Sequence, residues 1–243
     1  MSRPGARTAG QLPLALRYPP DQRFDGFVAA PIGALAQIEA LATGQAPDWL
    51  YLVGAPASGK THLALSACAA AESAGRRSAY LPLAAAVGRM REALDALHDN
   101  PFIALDGLDL IAGRSEDEVA LFDFHNRAHD AGIAVLYTAR VAPDALPLAL
   151  PDLRSRLSQC TRIALLPLDD DGRRDVLRLR ARRRGLAIDE AAIDWLLRRV
   201  DRDLSSLAKL LDQLDRASLA EQRRITVPFL RQVLGGEPGQ GSQ

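Results

Sequence analysis

Gly54-Ala55-Pro56-Ala57-Ser58-Gly59-Lys60-Thr61 stands between an apolar run, Trp49-Leu50-Tyr51-Leu52-Val53, and a helix-forming run over 62–72. The pattern GxxxxGK[ST], set between a strand and a helix, is a phosphate loop. Gly54 and Gly59 let the backbone curve so that its N–H groups converge on one hollow, and Lys60 adds positive charge for terminal phosphates. The Thr61 hydroxyl suits Mg²⁺, and His62 opens the helix into which the loop feeds. Nucleoside di- or triphosphate binding through residues 54–62 is therefore expected. Hydrolysis depends on residues elsewhere.

The chain has 243 residues, 48% of them hydrophobic, enough for one large domain or for a larger domain followed by a small one. Its 30 basic and 30 acidic residues balance, so charge gives no global case for nucleic-acid binding. Cys68 and Cys160 fall in or beside apolar segments without CxxC spacing. They read as two reduced, buried thiols in a cytosolic protein, and no metal-binding cysteine or histidine cluster accompanies them. No segment reaches the roughly 18 apolar residues of a membrane span, and no leader is visible, so a soluble, cytoplasmic protein is expected.

Residues 1–10 and 235–243 are polar and rich in small residues, and both read as mobile tails. Between them helices are predicted over 32–43, 62–72, 85–98 and 115–131, the last with Ser115 and Glu118 spaced as a capping box. Strands are predicted over 49–53, 78–83, 101–106, 133–138 and 163–166. This alternation implies an α/β fold with a mostly parallel sheet covered by helices on both faces. From 169 onward only helices are predicted, over 170–184, 189–199, 204–221 and 227–234, which implies a small all-helical subdomain. Trp195 has the spacing of a core residue there.

Several residues outside the loop invite chemical roles. Asp106 ends a strand, where a parallel sheet places its ligands, and is suited to hold Mg²⁺ through water. The next position, Gly107, lacks the second carboxylate that usually orients an attacking water. Asp109 either substitutes for it in part or caps the following segment. Thr138 ends another strand, placed to sense a terminal phosphate, and Arg140 follows it as either a charge contact or a solvated loop residue. Arg154 and Arg156 lie two apart after a proline-marked loop, so one faces its own domain while the other projects outward. They read either as surface arginines or as an arginine finger for a neighbour's nucleotide.

Together these features resemble an AAA+ P-loop NTPase core with a helical lid, and more narrowly the Hda family, homologues of the bacterial initiator DnaA. The stretches that carry the narrower resemblance are 11–16, 105–113, 150–157, 179–182 and 211–218. The resemblance implies domains at 24–168 for the nucleotide-binding core and 169–234 for the lid, after an N-terminal segment over 1–23. It implies that Gln11, Leu12, Leu14 and Leu16 form a peptide that docks on the DNA polymerase III sliding clamp, its beta subunit. A segment carrying three leucines ahead of the core also suits docking into a preformed groove, although a first strand packed on the core has the same apolar pattern. The resemblance further implies that Arg156 is a trans-acting arginine finger directed at ATP held by DnaA, with Arg154 the weaker candidate.

Three departures from the wider AAA+ pattern bear on mechanism. Gly107 replaces an acid, Arg140 stands where relatives have aspartate, and Ser205 stands where a lid arginine is expected, with Arg202 close by. They imply weak intrinsic hydrolysis and a structural ADP, or ATP, held by 54–62, Asp106 and Thr138. The implied role is prevention of re-initiation of DNA replication. A helicase loader or other replication adaptor with its own ATP hydrolysis is the alternative. A homo-oligomer is compatible with an AAA+ site at a subunit edge. No helix-turn-helix follows the lid, so no sequence-specific DNA-binding domain is expected, and Arg180, Arg182, Arg183 and Arg184 read as a solvated helix face.

Overall fold

The structure, a computed structural model, describes residues 23–28, 30–199, 214 and 224–234. Five strands form one sheet: β1 (Leu50–Gly54), β2 (Ser78–Pro82), β3 (Phe102–Asp106), β4 (Ala134–Ala139) and β5 (Thr161–Leu165). Their spatial order is β2-β3-β4-β1-β5 and every pairing is parallel. Such a sheet needs cover on both faces, and side-chain alternation along its strands supplies two cores.

One core gathers Tyr51, Ile103, Leu105, Val135 and Tyr137 beneath α3 (Met90–Asp95), α4 (Ser115–Asp130) and α5 (Pro151–Ser158). The other gathers Leu50, Leu52, Phe102, Ala104 and Leu136 beneath α1 (Ala34–Thr43) and α2 (Lys60–Ser73). Leu50, Tyr51 and Leu52 thus serve opposite faces in turn. The lid has its own core, in which Leu177, Ile193, Leu196, Leu214 and Phe229 meet. Among the described residues its helices are α6 (Asp170–Arg183), α7 (Glu190–Arg199) and α8 (Val227–Leu234). Trp195 packs at the edge of this cluster and carries the Arg199 guanidinium 4.5 Å from its ring centroid. Residues 204–213, 215–221 and the 11–16 peptide lie outside the described residues.

Three local expectations need correction. The helix expected over 85–98 is confined to Met90–Asp95, because Gly88 takes φ 78° and turns its N–H to the Asp117 carboxylate. The Ser115/Glu118 capping box does not form. The N-cap is Arg114, and Glu118 reaches away from Ser115 to other backbone groups described below. Cys68 is buried and Cys160 only partly so, against the expectation of two buried thiols, and neither is in a disulfide. No described helix is long and apolar enough to cross a membrane.

Candidate nucleotide site

The loop leaves β1 at its C-terminal end and enters α2 at Lys60. A Cβ on Gly54 would stand 2.5 Å from Ser58 Oγ and 2.6 Å from Leu165 O, so only glycine fits there. Gly59 takes φ 93°, and a Cβ on it would meet Phe27 Cε2 at 2.4 Å. Ala57 also takes a positive φ, 63°, in the turn at the middle of the loop. Alternating right- and left-handed residues of this kind make an anion-binding concavity. Lys60 Nζ donates to Gly54 O at 2.6 Å and Ala55 O at 2.8 Å, folded back on its own loop. Burial holds its pKa below the usual lysine range, while Asp109 and Asp106 pull it upward.

At the neighbouring strand ends three hydroxyls converge on one carboxylate. Thr61 Oγ1 donates to Asp106 Oδ2 at 2.7 Å, Tyr80 Oη donates to the same oxygen at 2.8 Å, and Thr138 Oγ1 donates to Asp106 Oδ1. Thr138, fully buried, in turn accepts from Gly107 N at 3.0 Å. Burial first, and then the charge of Asp106, raise the Tyr80 pKa, so the phenol stays protonated and remains a donor. The arrangement orients Asp106 with a hydroxyl on each side. Thr61 and Asp106 fit a divalent cation bound through the threonine hydroxyl and a carboxylate-held water.

Gly107 takes φ 94°, a region where an acidic side chain would be strained. The missing second acid is therefore matched by the backbone. Asp109 does not turn toward the loop unengaged: Arg140 N donates to its Oδ1 at 2.5 Å and Arg140 Nε lies 3.2 Å from Oδ2. Both carboxylate oxygens tie the β3 end to the β4 end.

Phe27 and His62 set two rings beside the loop, 5.6 Å apart and tilted by 52°, and His62 Nε2 lies 3.0 Å from Arg23 O. No sequence motif marks Phe27 or Tyr80. Tyr80 becomes significant only because β2 lies next to β3, and strand order is not written in local sequence. Phe27 becomes significant only because Gly59 lacks a side chain.

Arg154 and Arg156 lie on α5, one turn from its start. Arg154 Nη2 donates to Leu148 O at 2.7 Å, and its Nε is buried without a partner, so this guanidinium belongs to its own domain. The Arg156 guanidinium is exposed and, among the described residues, makes no hydrogen bond or ion pair. Of the lid's basic cluster, Arg183 pairs with Asp25 at 2.8 Å, joining α6 to the first turn of the core. That pairing holds the Asp25 carboxyl below the usual range. Arg202 and Ser205 lie outside the described residues.

Residues 170–234 match the family model for the lid domain of Hda. Among solved structures, domain III of the Thermotoga maritima replication initiation protein DnaA superposes with a TM-score of 0.72 at 19% identity, covering 91% of this chain and 99% of that one. AMPPCP-bound DnaA from Aquifex aeolicus gives 0.65 at 18% identity, over 81% of this chain and 65% of that one. The RuvB Holliday junction branch migration motor of Thermotoga maritima gives 0.61 at 17% identity, over 88% and 71%. The fold is that of an AAA+ protein, and the resemblance to Hda drawn from the sequence is borne out by the lid-domain match at 170–234, which follows a core shaped like DnaA domain III.

Proposed function

We propose that this chain is a nucleotide-holding regulator that inactivates the initiator DnaA by promoting hydrolysis of the ATP that DnaA carries. The observation that supports the reading most is the Hda lid match at 170–234, joined to a core shaped like DnaA domain III. In this reading ADP, or ATP, lies on residues 54–62, with Asp106 and Thr138 at its terminal phosphate. The AMPPCP-bound neighbour supports a nucleotide at such a loop. Lys60 exchanges the carbonyls of Gly54 and Ala55 for phosphate oxygens, and Phe27 and His62 offer apolar ring surface to the base. When bound, Mg²⁺ would be held by Thr61 and, through water, Asp106, and would neutralise phosphate charge.

The nucleotide stabilises one arrangement of core and lid, since only the folded form has the site. The protein's own turnover is weak because Gly107 offers no carboxylate and Asp109 is engaged by Arg140. Arg156 instead reaches the neighbour's ATP and stabilises the charge that develops on the transferred phosphoryl group. The peptide at Gln11, Leu12, Leu14 and Leu16 brings the protein to the sliding clamp, and thereby to DnaA on newly replicated DNA.

The second reading is a loader that hydrolyses its own ATP. The intact linkage of Thr61, Asp106 and Thr138 favours it. One assay separates the two. Hydrolysis of DnaA-bound ATP is followed with DNA-loaded clamp and this protein, wild type or with Gln11→Ala and Leu14→Ala together. Stimulation that needs both the clamp and the peptide supports the regulator. No stimulation by folded, nucleotide-bound wild type, with turnover that Lys60→Ala abolishes, supports the loader.

A further inference from the structure

Glu118 sits one turn inside α4 and is fully buried. A buried carboxylate is costly unless charge-assisted hydrogen bonds compensate it. Among the described residues its partners are backbone donors: Oε1 accepts from Gly113 N at 2.6 Å and Ala149 N at 3.1 Å, and Oε2 accepts from Leu150 N at 2.7 Å. Leu150 is the N-cap of α5, and Pro151 follows as its first residue. A negative group at that end also meets the positive pole of the helix. From the opposite side, Arg154 on α5 donates to Leu148 O, so three consecutive loop residues are tied, one through its carbonyl and two through their N–H groups.

A leucine or methionine at 118 would fill the same core volume. It would leave the N–H groups of Gly113, Ala149 and Leu150 without this acceptor and the start of α5 without this tie. α5 carries Arg156, whose exposed guanidinium has no partner among the described residues, less than two turns from its first residue, so a small rotation at Leu150 displaces that guanidinium. A finger must meet its phosphoryl group within hydrogen-bonding tolerance, and misplacement of about 1 Å can cost on the order of a hundredfold in rate. We propose that Glu118 is a positioning residue that fixes the start of α5 and, through it, the reach of Arg156 toward a partner's ATP. This rests on the reading of Arg156 given above.

The test uses the full chain with Glu118→Gln, in which an amide N–H₂ replaces one of the two accepting oxygens. Three quantities are measured: hydrogen exchange at the amides of Gly113, Ala149 and Leu150, ADP affinity, and clamp-dependent stimulation of DnaA-bound ATP hydrolysis. The expected result is exchange at least about tenfold faster at those amides, ADP affinity changed by less than about twofold, and stimulation reduced at least about tenfold. Placed on Arg156→Ala, Glu118→Gln should remove less than about twofold more, because both act through one group. Arg154→Ala, which cuts the other tie, should show the same pattern and stands in if Glu118→Gln does not fold.

The proposal is overturned by full stimulation despite faster exchange, by an equal further loss in the Arg156→Ala background, or by ADP affinity falling in step with stimulation. Absence of stimulation by wild type overturns the functional reading instead. The clasp is then judged by exchange alone, and unchanged protection in Glu118→Gln overturns it.

Discussion

Among the described residues Ala57 is the one non-glycine with a positive φ, and it sits in the middle of the phosphate loop. The left-handed region costs an alanine about 1–2 kcal/mol, while glycine's freedom in the unfolded chain returns about 0.4–1 kcal/mol of that on replacement. Ala57→Gly is therefore expected to stabilise the protein by up to about 1 kcal/mol, read as a higher Tm with ADP binding retained; a lower Tm would contradict the strain. Gly54→Ala has the opposite sign, since its Cβ would fall within 2.6 Å of Ser58 Oγ and Leu165 O. It should cost at least about 2 kcal/mol and abolish ADP-induced stabilisation, and normal ADP binding by this variant would refute the close approach. Lys60→Ala should keep the unliganded Tm near wild type while losing the stabilisation that ADP at a hundred times the wild-type Kd provides, about 2.7 kcal/mol. Lys60, Thr61, Asp106 and Thr138 were legible in sequence because each ends a strand or belongs to an unbroken motif. Tyr80 and Glu118 were not, since each acts on groups far along the chain: 26 residues from Tyr80 to Asp106, and 31 and 32 from Glu118 to Ala149 and Leu150.

At the level of elements, the inner strands β1, β3 and β4 were legible because they are apolar on both faces, and β1 shows why. Leu50 and Leu52 serve one core, and Tyr51 the other. The cap of α4, not its start, was misread because Ser115 and Glu118 have the spacing of a capping box, whereas the burial of Glu118 against residues 113, 149 and 150 outweighs it. α3 was overextended because nothing local marks Gly88 as a break until Asp117 takes its N–H. Further along α4, His125 is buried between Trp49, 4.5 Å away edge-on, and Tyr137, whose Oη lies 3.0 Å from Nδ1. Burial first, with Arg156 and His129 adding like charge, lowers its pKa from 6.5 to about 4. A histidine lowered in the folded state binds its proton more readily when unfolded. Stability is thus full above pH 6.5 and is lost as pH falls from there toward 4, by roughly 2–3 kcal/mol at pH 4.5. His125→Gln should flatten that part of the profile in thermal unfolding between pH 4.5 and 7. A slope equal to wild type would show that His125 is not its source.

Over the whole molecule, the lid and core meet at Arg183 and Asp25, and the phosphate loop opens beside the same first turn through Phe27 and Gly59. The phosphate loop, the lid and the segment carrying Phe27 are therefore neighbours, which suits the proposed nucleotide as a ligand that fixes shape. The α/β core and helical lid could be foreseen from a single change of pattern near residue 169. The relation of lid to core could not, because it involves contacts between residues far apart in sequence, such as the ion pair of Arg183 with Asp25. The departures at Gly107 and Arg140 reinforce one another in space: a left-handed backbone stands where an acid would be, and the remaining acid, Asp109, is bound to Arg140. In the proposed function, chemistry is directed outward through Arg156. The most direct test is single-turnover hydrolysis of DnaA-bound ATP with DNA-loaded clamp, comparing wild type with Arg156→Ala. The account predicts that Arg156→Ala still binds ADP and the clamp but stimulates at least on the order of a hundredfold less. Equal stimulation by the two proteins would contradict it.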